Sequence, residues 1–272
     1  MSLTLSNSRI KLSQGLIFWR EIGQGPVLIF LHGPWTESSQ WLPTIDYLYS
    51  DYYCFAPDLL GFGESEEPNV HYSIELQAEC LNEYLEALKL SEVYLIGHSL
   101  GSWIASSYAL KNPDKVKGLV LISPEGVATS NSQKRWTWPK LILSLPSGIF
   151  KILRSLIPLF KIIRWQKKIE HLLLMQSYPV ACQLLFKRRR AEIQAELLHD
   201  RLNYLPIPVL IMQGQKDTPE AISISQTIAS LTPKSQLEIF PGVDNDIPQK
   251  QPDVVAQYIR DFVTRIEEGN RE

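Results

Sequence analysis

Apolar residues along this chain follow two rhythms. Short uninterrupted runs, at 27–31 (Val-Leu-Ile-Phe-Leu), 52–56, 93–96, 116–123, 209–212 and 236–240, have the look of buried strands. Two shorter stretches at 10–12 and 16–21 read as an N-terminal hairpin. Longer segments with apolar residues three and four apart lie between them. Over 73–90 the positions Ile74, Leu76, Cys80, Leu81, Leu85 and Leu88 mark one helical face, with Ser73 placed to cap it. Over 253–267 Val254, Val255, Tyr258, Ile259 and Phe262 mark the face of a closing amphipathic helix. Strand alternating with helix predicts an α/β fold: a mainly parallel, eight-stranded sheet flanked by helices.

The rhythm changes between Ser123 and Pro206. Strand-like runs stop, and prolines interrupt several helix-like pieces. The expected organisation is a core built from residues 1–124 and 203–272, with a helical cap, residues 125–202, inserted between its halves. The chain carries no internal repeat and no low-complexity tract.

The run at 93–96 passes directly into Gly97-His98-Ser99-Leu100-Gly101, and a helix pattern follows. A Gly-x-Ser-x-Gly between strand and helix has a mechanical meaning. The serine sits on a tight, strained turn, and glycines on either side let the chain pack closely there. Leu31-His32-Gly33 ends an earlier strand, Pro57-Asp58-Leu59-Leu60-Gly61-Phe62-Gly63-Glu64-Ser65 follows another, and Gly214-Gln215-Lys216-Asp217 follows a third. With these motifs the chain resembles the α/β-hydrolase superfamily, of the esterase, lipase and C–C hydrolase type, over residues 8–124 and 203–267. The resemblance implies that Ser99 is a nucleophile, that the Leu100 N–H serves the oxyanion, and that Asp217 orients a base. It also implies that His32 and His98 are structural.

The pattern then breaks. In that family the base is a histidine after the last strand, commonly in Pro-Gly-x-Gly-His with a proline seven residues on. Here the segment reads Pro241-Gly242-Val243-Asp244-Asn245-Asp246 and continues to Pro252, which puts Asn245 at the histidine position. The histidines are His32, His71, His98, His171 and His199, and none follows Asp217. An amide cannot take the serine proton, and loss of the base costs on the order of 10⁴–10⁶ in rate. The second oxyanion donor is normally the N–H of the residue after His32-Gly33. That residue is Pro34, which has none; a missing donor costs roughly 10²–10³. The N–H of Trp35 is the available substitute.

Three readings remain open at this stage. One is a hydrolase with a rewired base: Asp244 or Asp246, or His71, His171 or His199 from the cap side. Another is a lyase or isomerase that uses the same pocket without an acyl-enzyme. The last is a catalytically impaired protein that binds a lipid-like ligand or a membrane.

Charge adds one feature. The net charge of the 272 residues is −2, yet residues 134–201 hold fourteen Lys and Arg against Glu170, Glu192, Glu196 and Asp200. That segment is +10 and the remainder −12. Within 148–169, Lys151, Arg154, Lys161, Arg164 and Lys168 recur among apolar residues, Trp136, Trp138 and Trp165 lie nearby, and Pro158 breaks any helix. This pattern suits an anionic membrane surface. A cap helix with its apolar side over the pocket and its charges solvated explains it equally. Nucleic acid is not an expected partner, because no recognition fold accompanies the Lys187–Arg190 run. The expected ligand is a small apolar or lipid-like molecule.

Cys54, Cys80 and Cys182 are odd in number and widely spaced, which predicts buried free thiols and no metal site. No cofactor is implied. With neither a signal-peptide pattern nor an apolar run of membrane-spanning length, the expected location is cytoplasmic, soluble or peripherally bound.

Overall fold

The computed structural model describes residues 4–129, 134–143 and 163–269. Eight strands form one sheet: β1 (Ser6–Lys11), β2 (Leu16–Gly23), β3 (Val27–Leu31), β4 (Tyr53–Pro57), β5 (Val93–His98), β6 (Val116–Ile122), β7 (Val209–Gly214) and β8 (Ser235–Phe240). Their order across the sheet is β1-β2-β4-β3-β5-β6-β7-β8. β1 and β2 pair antiparallel, as do β2 and β4, and every later pairing is parallel. The first strand begins four residues before the expected stretch at 10–12 and ends at Lys11. Its polar, largely exposed residues gave no apolar run to read, and pairing with β2 from Ser6↔Glu21 onward is what extends it.

The larger helices of the core are α1 (Ile74–Ala87) and α2 (Leu100–Lys111). In the segment between β6 and β7 lie α3 (Lys134–Leu143), α4 (Ile163–Gln176) and α5 (Arg190–Glu196). Then come α6 (Pro219–Leu231) and α7 (Pro252–Gly269). Ser73 caps α1 as expected, its Oγ accepting from Leu76 N–H at 2.9 Å. Among the described residues the segment between β6 and β7 contains helices and no strand. Most of the alternating basic and apolar stretch at 148–169 lies outside the described residues.

Side chains that alternate along the strands enter two cores, because successive residues face opposite sides of a sheet. Ile29, Leu31, Leu95, Leu119, Leu121 and Ile211 pack on the side of α1, α2 and the insertion. Leu28, Phe30, Ile96, Val120, Leu210 and Met212 pack on the side of α7, against Val255, Ile259 and Phe262. α2 is buried on nearly every face, from Leu100 to Ala109. That fits its place behind the centre of the sheet and fixes the height of the turn that begins it.

Candidate active site

β5 hands the chain to α2 at Ser99, whose backbone has φ 50° and ψ −105°. A non-glycine residue at positive φ is strained. Here the surroundings hold the strain in place. Ser99 N–H bonds Ile122 O at 2.9 Å, and Ser102 Oγ donates to Gly97 O at 2.6 Å. The flanking glycines make close approach possible. A Cβ on Gly97 would lie 2.5 Å from Ser102 N, and one on Gly101 would lie 2.2 Å from Leu31 O. The Gly-x-Ser-x-Gly therefore forms the strained turn that its position in the sequence implies.

The N–H groups of Leu100 and Trp35 make no hydrogen bond with any described residue. Leu100 is the first residue of α2, where N–H groups lack helical acceptors. Trp35 follows Pro34 on the loop leaving β3, and Leu31 of β3 is in register with Gly97 of β5. The oxyanion candidates thus lie on the two neighbouring strand ends. Ser99 Oγ itself makes no hydrogen bond with a described residue.

His32 and His98 are buried and fully engaged. His32 Nδ1–H donates to Gly33 O at 2.7 Å, and its Nε2 accepts from Leu59 N–H at 3.0 Å. Burial lowers its pKa. His98 lies in a chain of bonds across the base of the site. Gly33 N–H donates to Gln40 Oε1 at 3.1 Å, Gln40 Nε2 faces His98 Nδ1 at 3.4 Å, and His98 Nε2–H donates to Asn245 O at 2.9 Å. A neutral imidazole protonated on Nε2 satisfies both contacts, and burial pushes its pKa down to about 4. His98 thus ties the loop after β3 to the loop after β8. Gln40 had no signal in the sequence, being a lone glutamine in a short turn.

Asp217 follows β7. Its carboxylate accepts from Gln213 Nε2 at 3.1 Å and from Thr218 N–H at 2.7 Å. Gln213 is itself fixed, its Oε1 accepting from Ser225 Oγ at 2.5 Å. Asn245 is exposed and its amide bonds no described residue; only its carbonyl is held. The acidic neighbours of Asn245 do not supply a free base. Asp244 accepts from Lys250 Nζ at 2.6 Å and from Asp246 N–H at 3.2 Å. Burial raises the Asp244 pKa, but these contacts outweigh it and the net direction is downward. Asp246 lies 3.7 Å from the same ammonium.

Of the three histidines outside the motifs, His71 pairs with Glu192 at 3.4 Å and is well exposed. His199 is also exposed. His171, on α4, is exposed as well, but it meets an aromatic side chain of the loop after β3. Its ring meets the Trp35 ring edge-on at 6.2 Å. Desolvation lowers its pKa, and the Asp246 carboxylate offsets part of that. Its ring thus lies against the loop after β3, and the charge of the loop after β8 acts on it. Among the described residues no three His, Cys, Asp or Glu side chains converge as a metal site. The three cysteines are buried and free, and burial pushes the Cys80 thiol up to about 12.

Comparison with known proteins agrees with this architecture. The alpha/beta hydrolase fold family matches residues 26–177. An uncharacterised Mycobacterium tuberculosis protein is 28% identical over 264 residues, covering 89% of this chain and 77% of its own. A Bacillus subtilis protein provisionally named 2-succinyl-6-hydroxy-2,4-cyclohexadiene-1-carboxylate synthase is 28% identical over 257 residues, covering 88% and 90%. Among solved structures, a bacterial membrane phospholipase A superposes with a TM-score of 0.77 at 22% identity, over 97% of this chain and 87% of that one.

Proposed function

The chain belongs to the α/β hydrolase fold family, and from that membership we propose that it acts through Ser99 on an apolar, lipid-like ester or carbonyl compound, with His171 of the cap as its base. The carrying observation is the position of His171, in contact with Trp35 and within the field of Asp246. Its lowered pKa keeps the imidazole neutral at pH 7 and able to accept a proton. Ser99 Oγ attacks the carbonyl carbon while His171 takes its proton. The Leu100 and Trp35 N–H groups stabilise the oxyanion. His171 then returns the proton to the departing alcohol, and water, activated the same way, releases the acid from Ser99. In this reading the carboxylate that supports the base is Asp246. Asp217, the acid the family pattern implies, accepts hydrogen bonds from Gln213 and Thr218.

A fluorophosphonate probe tests this. Labelling is expected in the native chain, absent in Ser99→Ala, and slowed by about 10²-fold or more in His171→Gln, the lower range for loss of a general base. Labelling of His171→Gln at the native rate would sink the assignment. A second reading rests on the unbonded Ser99 Oγ and on Pro34: a catalytically impaired protein that binds the same class of ligand. It predicts no labelling of the folded native chain. We also place contact with an anionic membrane surface on the basic segment 134–201.

A further inference from the structure

A second feature lies one turn along α2 from Ser99. Trp103, whose N–H reaches Ser99 O at 3.3 Å, lines a cavity of about 550 Å³ between the loop after β6 and the insertion. That volume falls within the roughly 300–1,000 Å³ of small-molecule sites. Trp103, Val127, Leu185, Phe186 and Ile193 supply apolar wall, and Trp136 stacks on Phe186 at 5.1 Å. Lys140, Arg188 and Arg190 also line it, against one carboxylate, Glu125. A cavity with apolar walls and an excess of cations fits neither a neutral lipid nor a simple inorganic anion.

Arg188 makes the case specific. The residue is 93% buried, with 7% of its surface exposed. Its bonds run from Nη2, to Leu184 O at 3.1 Å and to the Glu196 carboxylate. Its Nε is buried with no hydrogen-bond partner. A buried donor on a charged group without an acceptor is rare in a folded protein; the atom is itself sealed from the cavity, and it marks a guanidinium whose donors the fold does not fully satisfy. Arg190, exposed at the same wall, makes no hydrogen bond or ion pair with any described residue. We propose that this cavity holds an amphipathic anion: an apolar chain packed on the tryptophan and phenylalanine walls, with a carboxylate or phosphate head taken by Arg188, Arg190 and Lys140. The proposal deepens, and rests on, the reading of an apolar ligand between Ser99 and the cap. It adds that the ligand carries a negative charge away from the reacting carbonyl.

Calorimetric titration of the Ser99→Ala chain, which cannot turn over, tests it with decanoate, decyl phosphate and 1-decanol. Both anions should bind at least about tenfold more tightly than the alcohol, the gain expected of a charge-assisted contact. The stronger of the two anions identifies the head group. Arg190→Gln and Lys140→Gln alter exposed side chains and leave the buried Arg188–Glu196 pair intact. Combined, they should weaken the anions about tenfold and leave decanol unchanged. Equal binding of decanol and decanoate, or anion binding indifferent to the double substitution, overturns the anion site while leaving the apolar-ligand reading standing. Failure of all three probes to bind overturns both. Arg188→Gln, with its thermal unfolding followed in parallel, then localises the head: if it remains folded and binds decanoate like the parent, Arg188 is not the anchor.

Discussion

Replacing His98 with glutamine gives a sharp test of how the floor of the site is built. Glutamine keeps a donor for Asn245 O and an acceptor toward Gln40, so the cost at neutral pH should be modest, about 1–2 kcal/mol. The larger effect is on pH dependence. Folding lowers the His98 pKa from the ordinary 6.5 to about 4 because the buried imidazole is desolvated, despite the help of the Asn245 carbonyl. Between those two pH values the unfolded chain binds a proton at this position and the native protein does not. The stability that His98 contributes as a neutral group is therefore complete above pH 6.5. It falls as acid is added, and it levels off below about pH 4. At about 1.4 kcal/mol per pH unit, the window amounts to roughly 3 kcal/mol. Urea unfolding followed by tryptophan fluorescence, at steps from pH 7.5 to 4, measures it. The native chain should lose stability more steeply than His98→Gln by about one proton's worth of slope. His32 is lowered in the same direction but is present in both proteins, so it largely drops out of the difference. Parallel loss of stability across the window would refute the neutral, Nε2-protonated His98.

Two further outcomes follow from the strained turn and from the charge asymmetry. Gly101→Ala would put a Cβ 2.2 Å from Leu31 O and 2.8 Å from His32 O, both backbone atoms that cannot move without shifting β3, so it should cost about 3 kcal/mol in chemical denaturation. Gly269→Ala, with nothing within 4 Å, should be near neutral, and equal effects at the two positions would contradict the close-approach account. If segment 134–201 meets an anionic membrane, the chain should co-sediment with phosphatidylglycerol vesicles at about 50 mM salt and release at about 500 mM. No pelleting at low salt would remove that role.

Much of the core was readable because each signal was local. A run such as 27–31 is buried on both faces wherever it is placed in a parallel sheet, and the 93–101 segment announces strand, turn and helix in nine consecutive residues. β1 was less legible, since its polar residues acquire strand geometry only by pairing with β2. The roles of His32 and His98 were implied by resemblance, but the bonds that give them those roles cross the chain. His98 reaches Asn245 over 147 positions. Gln40, which joins His98 to Gly33, has no motif at all.

The sequence by itself determined the fold, the strained turn at Ser99 and the two breaks in the expected chemistry at Pro34 and Asn245. Each of these is a matter of which residue stands at a position fixed by local pattern. Only the tertiary structure distinguishes the surroundings of His71, His171 and His199, which the sequence offered on equal terms. All three are exposed, but the α4 helix brings His171 onto Trp35 and into the field of Asp246, whereas His71 is turned to Glu192. It also decided that Arg188, one of four consecutive basic residues, is the one driven into the interior with an unpartnered Nε. Charge runs read alike along a chain, and burial distinguishes their members only once the elements have packed.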